Sequence, residues 1–230
     1  MNIDITVTFD FVCPWCYIGF KRLMRAIDSL GDDFDWTIGW RPFELNPELP
    51  AGGLDRASYR TSRYGEAHGR MLDAQIEAQA RYDGIHLNMS SIKTIANSRL
   101  AHRLRLLAEK NNLERPFIRA VYKAYFEQGV NIGLTQELQC IAESVHLPAD
   151  EVRACLEDPS SEDRIIELEE HARESGVHAI PNLLIGAITV AGAVPWTELR
   201  ESLVRAAESD VPPPGQGFCA PDDEDCAGTP

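Results

Sequence analysis

The feature that most constrains this chain is Cys13-Pro14-Trp15-Cys16, wedged between two runs of different periodicity. Ile3 to Phe9 alternates β-branched with polar residues, the period-two pattern of a strand. Tyr17 to Leu30 places Ile18, Leu23, Met24 and Ile27 as the buried positions of a helix, with Gly31 as its stop. Two cysteines separated by two residues close a small disulfide ring without large backbone strain when they open a helix. The first sulfur then faces unpaired N–H groups and the positive end of the helix dipole, which favour a thiolate. Pro14 suits the first turn, because its missing N–H would have no helical partner. Trp15 gives the rim an apolar face on which an unfolded substrate could rest.

Zinc and inert burial are the competing readings of the pair. A zinc site needs two further ligands, usually a second Cys or His pair at comparable spacing, and none occurs nearby, so no metal is assigned. Two ordinary core cysteines would require neither the strand before them, the helix after them nor the proline between them. Strand, CxxC and helix in succession is a redox context.

Phe34 to Arg41 carries Trp36, Ile38 and Trp40 at strand spacing, so strand, helix and strand predict a right-handed parallel crossover. Pro42 to Pro50 reads as a loop. From about Leu54 to Ser175 helix follows helix: Leu100, Leu104, Leu107 and Ala108, then Phe117, Val121, Ala124 and Tyr125, then Leu138, Ile141, Ala142 and Val145. Gly65, Gly84, Gly129 and Gly176 stand where helices should end, Pro116 and Pro148 where two should begin. Leu183 to Ile185 and Ile188 to Val190 flank Gly186-Ala187 as a β-hairpin, and Pro195 to Ala207 is a last helix. The order is βαβ, a large all-helical insertion, then ββα, an α/β class. It divides the chain into a first half-domain at 1–50, the insertion at 51–175, a second half-domain at 176–210 and an acidic tail at 211–230 with nothing to build a core.

Asp and Glu number 36 against 22 Lys and Arg, a formal charge of −14. Such a surface is expected to repel nucleic acid and anionic lipid, with no cluster of Lys and Arg to offset it. Met1-Asn2-Ile3-Asp4 lacks the basic start of a signal peptide, and no apolar run approaches a membrane span, so the expected compartment is cytoplasmic. Six cysteines are too few for a stapled scaffold, and reducing compartments rarely keep structural disulfides.

Asp10-Phe11-Val12-Cys13-Pro14-Trp15-Cys16-Tyr17-Ile18-Gly19 resembles the active-site signature of DsbA-like thioredoxin-fold proteins, in the FrnE-type branch. The likeness continues through Ala96-Asn97-Ser98 with Ala101-His102-Arg103-Leu104, through Ala124 to Gly129 with Asn131-Ile132, and through Gly176 to Pro181 with Gly192-Ala193. The resemblance implies a thioredoxin-like fold and disulfide exchange on protein or peptide thiols and disulfides. No organic cofactor beyond the dithiol is implied; glutathione is a candidate co-substrate, and a homodimer is compatible. It further implies a cis bond between Ile180 and Pro181, facing the cysteines across a groove. Pro14, Trp15, Ile180 and Pro181 would then hold substrate, with Cys13 attacking and Cys16 resolving. Two alternatives stand beside this one. Related 2-hydroxychromene-2-carboxylate isomerases and kappa-type glutathione transferases resemble the chain in fold, but generally carry serine where Cys13 stands. A holdase-type chaperone using an apolar groove is the second. DsbA itself carries His in place of Trp15, which puts an equally oxidising role in doubt.

Cys219 and Cys226 flank an acidic segment and form a candidate second redox pair, beside readings as a metal site or as two solvated thiols. Cys140 and Cys155 lie in helical patterns and read as small core residues. Asp10 reads as a turn-capping residue or as a proton-transfer partner of Cys16. His178, near the expected cis-proline, reads as loop surface or as a residue that tunes the site.

Overall fold

The computed structural model describes residues 2–31, 34–158 and 160–209. Strand β1 (Asn2–Phe9) buries Ile3, Ile5, Val7 and Phe9 on one face, as period-two alternation requires. Helix α1 (Pro14–Asp28) carries the chain across to β2 (Asp35–Pro42), which lies parallel to β1 with Ile5 opposite Ile38 and Val7 opposite Trp40. After a long insertion the chain returns as β5 (Asn182–Ile185), antiparallel to β1 with Val7 opposite Leu183, and then as β6 (Ile188–Ala191). The sheet order is β2-β1-β5-β6, so β1 is internal and delivers Cys13 at its C-terminal end. Helix α9 (Trp196–Ser209) packs beside α1, where the Arg25 guanidinium lies 4.3 Å from the centre of the Trp196 ring.

The insertion is helical: α2 (Arg56–Tyr64), α3 (Glu66–Tyr82), α4 (Arg99–Lys110), α5 (Glu114–Tyr122), α6 (Thr135–Ser144), α7 (Ala149–Glu157) and α8 (Ser160–Glu174). A small antiparallel ladder, β3 (Leu54–Asp55) with β4 (Thr94–Ile95), is its departure from helix. Residues 83–98 leave the helical path because Gly84, at φ 70°, ends α3 with the Ile85 N–H bonded back to the Ala80 carbonyl. The loop beyond Gly84 is pinned by side-chain amides, with Asn97 Nδ2 donating to the Leu49 carbonyl at 2.8 Å. The same left-handed ending recurs at Gly129 and Gly176, as their positions predict, and at Asn112 and His146, which carry positive φ without being glycine.

At Lys123–Glu127 the chain of α5 widens into a turn of π-helix. Tyr17, on α1, stacks on Phe126 with ring centres 5.6 Å apart and on Tyr122 at 5.0 Å. Phe9, Phe11, Phe20 and Trp40 complete an aromatic core shared by sheet, redox helix and insertion.

Candidate functional site: the dithiol and its buried surroundings

Cys13 is the N-cap of α1, extended at φ −87° and ψ 113°, and its carbonyl accepts from the Cys16 N–H at 3.1 Å and the Tyr17 N–H at 3.2 Å. Pro14 fills the first helical position, and no acidic residue lies in the first turn to oppose negative charge there. Both cysteines are free thiols and both are buried. Trp15, between them, is 38% exposed. Burial holds the Cys16 thiol well above the usual cysteine range, and the neighbouring Cys13 adds to the shift. A backbone hydrogen bond from Asp10 acts against this, whereas the Asp10 charge acts with it. The second thiol is thus held protonated one turn inside the helix.

The Ile180–Pro181 bond is cis, as the resemblance implies. Pro181 is buried against α1: a Cβ on Gly19 would stand 3.3 Å from Pro181 Cγ. The Pro181 carbonyl is occupied by the Gly192 N–H at 2.8 Å, but among the described residues the Ile180 backbone makes no hydrogen bond. Arg22, buried on α1, holds the neighbouring connection between β6 and α9. It donates to the carbonyls of Ala193 and Val194 and pairs with Asp83, at the end of α3, through Nε at 2.8 Å.

Asp10 proves to be wholly buried. Its Oδ2 accepts from the Leu45 N–H at 2.7 Å and its Oδ1 meets the Val12 N–H at 3.5 Å, so it does cap the turn before Cys13. The same Oδ1 lies 3.3 Å from His102 Nε2, supplied by α4 of the insertion. Beyond His102 a second buried acid, Glu44, is raised by burial and drawn back by Arg99 and by the His102 charge. His102 Nδ1 and Glu44 Oε1 are buried without hydrogen-bond partners. The histidine stands in a sequence segment that carries the family likeness, but nothing in its spacing points at Asp10.

Other expectations fare unevenly. Cys155 is half-buried, with Sγ 3.7 Å from the Arg103 carbonyl. Cys140 is exposed, not a core residue: Leu138, Ile141 and Ala142 form the buried stripe of α6, and 100° per residue turns position 140 to the opposite side. His178 lies on the surface. Cys219 and Cys226 fall outside the described residues.

A dithiol capping the helix that succeeds the internal strand, with a cis-proline loop against that helix, is the arrangement of the thioredoxin-like fold. A family model for the DsbA-like thioredoxin domain matches residues 4–204, and the chain belongs to that family. It is similar to the uncharacterised protein YwbO of Bacillus subtilis, 28% identical over 194 residues that cover 84% of this chain and 92% of that one. Among solved structures it is similar to a probable DsbA oxidoreductase from Streptomyces coelicolor. That likeness has a TM-score of 0.83 and 25% identity, covering 96% of this chain and 97% of the other. The cytosolic disulfide reductase DsbM from Pseudomonas aeruginosa, solved with GSH, shares the fold at TM-score 0.63 and 15% identity, covering 89% and 99% of the two chains.

Proposed function

We propose that this thiol oxidoreductase exchanges disulfides with protein or peptide substrates in the cytoplasm. The Cys13 thiolate attacks a substrate disulfide, forming a Cys13–substrate mixed disulfide and releasing one substrate thiolate. Cys16 then loses its proton and attacks the Cys13 sulfur, releasing the second substrate thiolate; the substrate gains the two electrons that the dithiol gives up. Run backwards, the same steps oxidise a substrate dithiol. The observation that carries this reading is the placement of the two sulfurs: Cys13 caps α1, while Cys16, whose thiol burial pushes up, lies one turn inside. The unpaired Ile180 backbone supports an extended peptide as partner, since an added strand is recognised first through main-chain hydrogen bonds. Pro14, Trp15 and Pro181 would line its path.

The reduction potential of the Cys13–Cys16 pair in a glutathione buffer tests the proposal. A value near about −270 mV suits a reductant and one near about −180 mV an isomerase. Failure to equilibrate with glutathione at all would remove the oxidoreductase reading. Turnover kinetics of a Cys219→Ser, Cys226→Ser variant test the proposed second pair, whose loss should slow recycling; unchanged kinetics would remove it.

Glutathione itself is the competing partner, favoured by the DsbM structure with GSH. Cys13→Ser separates the two: it abolishes disulfide exchange, whereas a glutathione-dependent isomerase would tolerate it.

A further inference from the structure

The sequence shows no run of basic residues, yet the fold assembles a cationic site. Lys21 of α1 faces Arg115 and Arg119 of α5 and Lys123 of the π-turn across a cavity of 670 Å³. Asp28 is the one carboxylate in its lining, so four cations stand against one acid in a chain of charge −14. The ion pairs among the described residues are all formed by other cations. Burial lowers the Lys21 ammonium below the usual lysine range; Glu127 opposes this, while Arg119 and Lys123 add to it. The Lys21 ammonium also lies 5.3 Å from the centre of the Tyr17 ring, so the compensation is partial and positive charge remains in excess.

Part of the lining is apolar: Phe20, Met24, Ala120 and Val145 share it with the charged side chains. The volume is that of a small-molecule pocket, which spans roughly 300–1,000 Å³. Along α1 the cavity begins at Phe20, four positions beyond Cys16 or about 6 Å at the helical rise, and extends to Asp28; neither cysteine lines it.

We propose that this cavity binds a small amphiphilic polyanion, an apolar or aromatic body carrying two or more carboxylate, phosphate or sulfonate groups. Charge sets the valence, because Asp28 and a single further anion would still leave the lining cations in excess. The apolar lining sets the body, because an inorganic anion would leave Met24 and Val145 uncovered.

Pyranine, a pyrene carrying three sulfonates, tests this by fluorescence titration of the full-length protein, with pyrene monosulfonate as the same body at lower charge. Pyranine should bind one-to-one, about tenfold or more tighter than the monosulfonate, and weaken steadily as sodium chloride is added. Arg119→Glu with Lys123→Glu, both on the cavity wall, should cost at least about tenfold in pyranine affinity. Disulfide exchange by that variant, expected at the wild-type rate, serves as the folding control. Equal binding of the two dyes, or unaltered pyranine binding by a variant that still exchanges disulfides, would overturn the proposal.

Discussion

His102 Nε2 lies 3.3 Å from Asp10 Oδ1, and neither side chain reaches solvent. A helix of the insertion thereby contacts the acid that precedes Cys13 by three residues, and that acid's charge helps hold the Cys16 thiol protonated. Asp10→Asn removes the charge and retains the shape. The pH profile of the resolving step should therefore move to lower pH, because one influence that raises Cys16 is gone. Release of a chromophoric thiol from a mixed disulfide at Cys13, followed across pH, reads this directly. A superimposable profile would mean that the Asp10 charge does not reach the sulfur.

Cys16 also ties stability to pH. Its folded value lies above its unfolded one, so its contribution is complete below the unfolded value and is lost as pH rises toward the folded one. Reduced protein should soften in alkali, beginning above about pH 8.5. In a Cys13→Ser background, adding Cys16→Ser should flatten the fall of Tm in that range. Parallel Tm curves for the two variants would count against the assignment. Tyr122, also raised by burial, titrates in both and cancels from the comparison.

Arg22 is 4% exposed and Asp83 7%, and the arginine also carries the carbonyls behind the cis-proline loop. Removing one member of a buried pair leaves the other uncompensated, at a cost of roughly 3–5 kcal/mol. Arg22→Met should show a loss of that order in urea denaturation. Arg22→Met combined with Asp83→Leu should recover part of it. A single-variant loss below about 1 kcal/mol would show that the pair is solvated in solution.

Glycine at position 19 lets α1 pass beneath Pro181 without displacing it, since even a Cβ there meets the ring at 3.3 Å. Gly19→Val should lift the Ile180–Pro181 segment and slow exchange with a protein disulfide several-fold. Exchange with a small disulfide such as oxidised dithiothreitol, which needs only the sulfurs, should change much less. Equal losses on both substrates would place the damage at the cysteines themselves.

The β1–α1–β2 unit was legible because alternation, a CxxC pair and helical spacing succeed one another within forty-two residues. The closing β-hairpin and last helix were legible for the same local reasons. Periodicity tells which face of a helix is buried, but not against what. Leu104, Ala108 and Phe117 could therefore be placed inside, while the meetings of His102 with Asp10 and of Tyr122 with Tyr17 could not. Helix ends at glycine announced themselves; those at Asn112 and His146 did not, because either residue is equally at home elsewhere. The basic cavity was hidden for another reason, as Lys21 and Arg119 are ninety-eight positions apart.

The π-turn at Lys123–Glu127 has a consequence for register. Such a turn is an α-helix that has accommodated one extra residue. Winding the same residues as ordinary α-helix would rotate the side chains at its end by about 100°. Phe126 would leave the Tyr17 ring, and Glu127 would leave the Tyr17 hydroxyl that it now binds at 2.5 Å. The supernumerary residue works as a phase shifter, bringing the insertion into step with the helix that carries the dithiol.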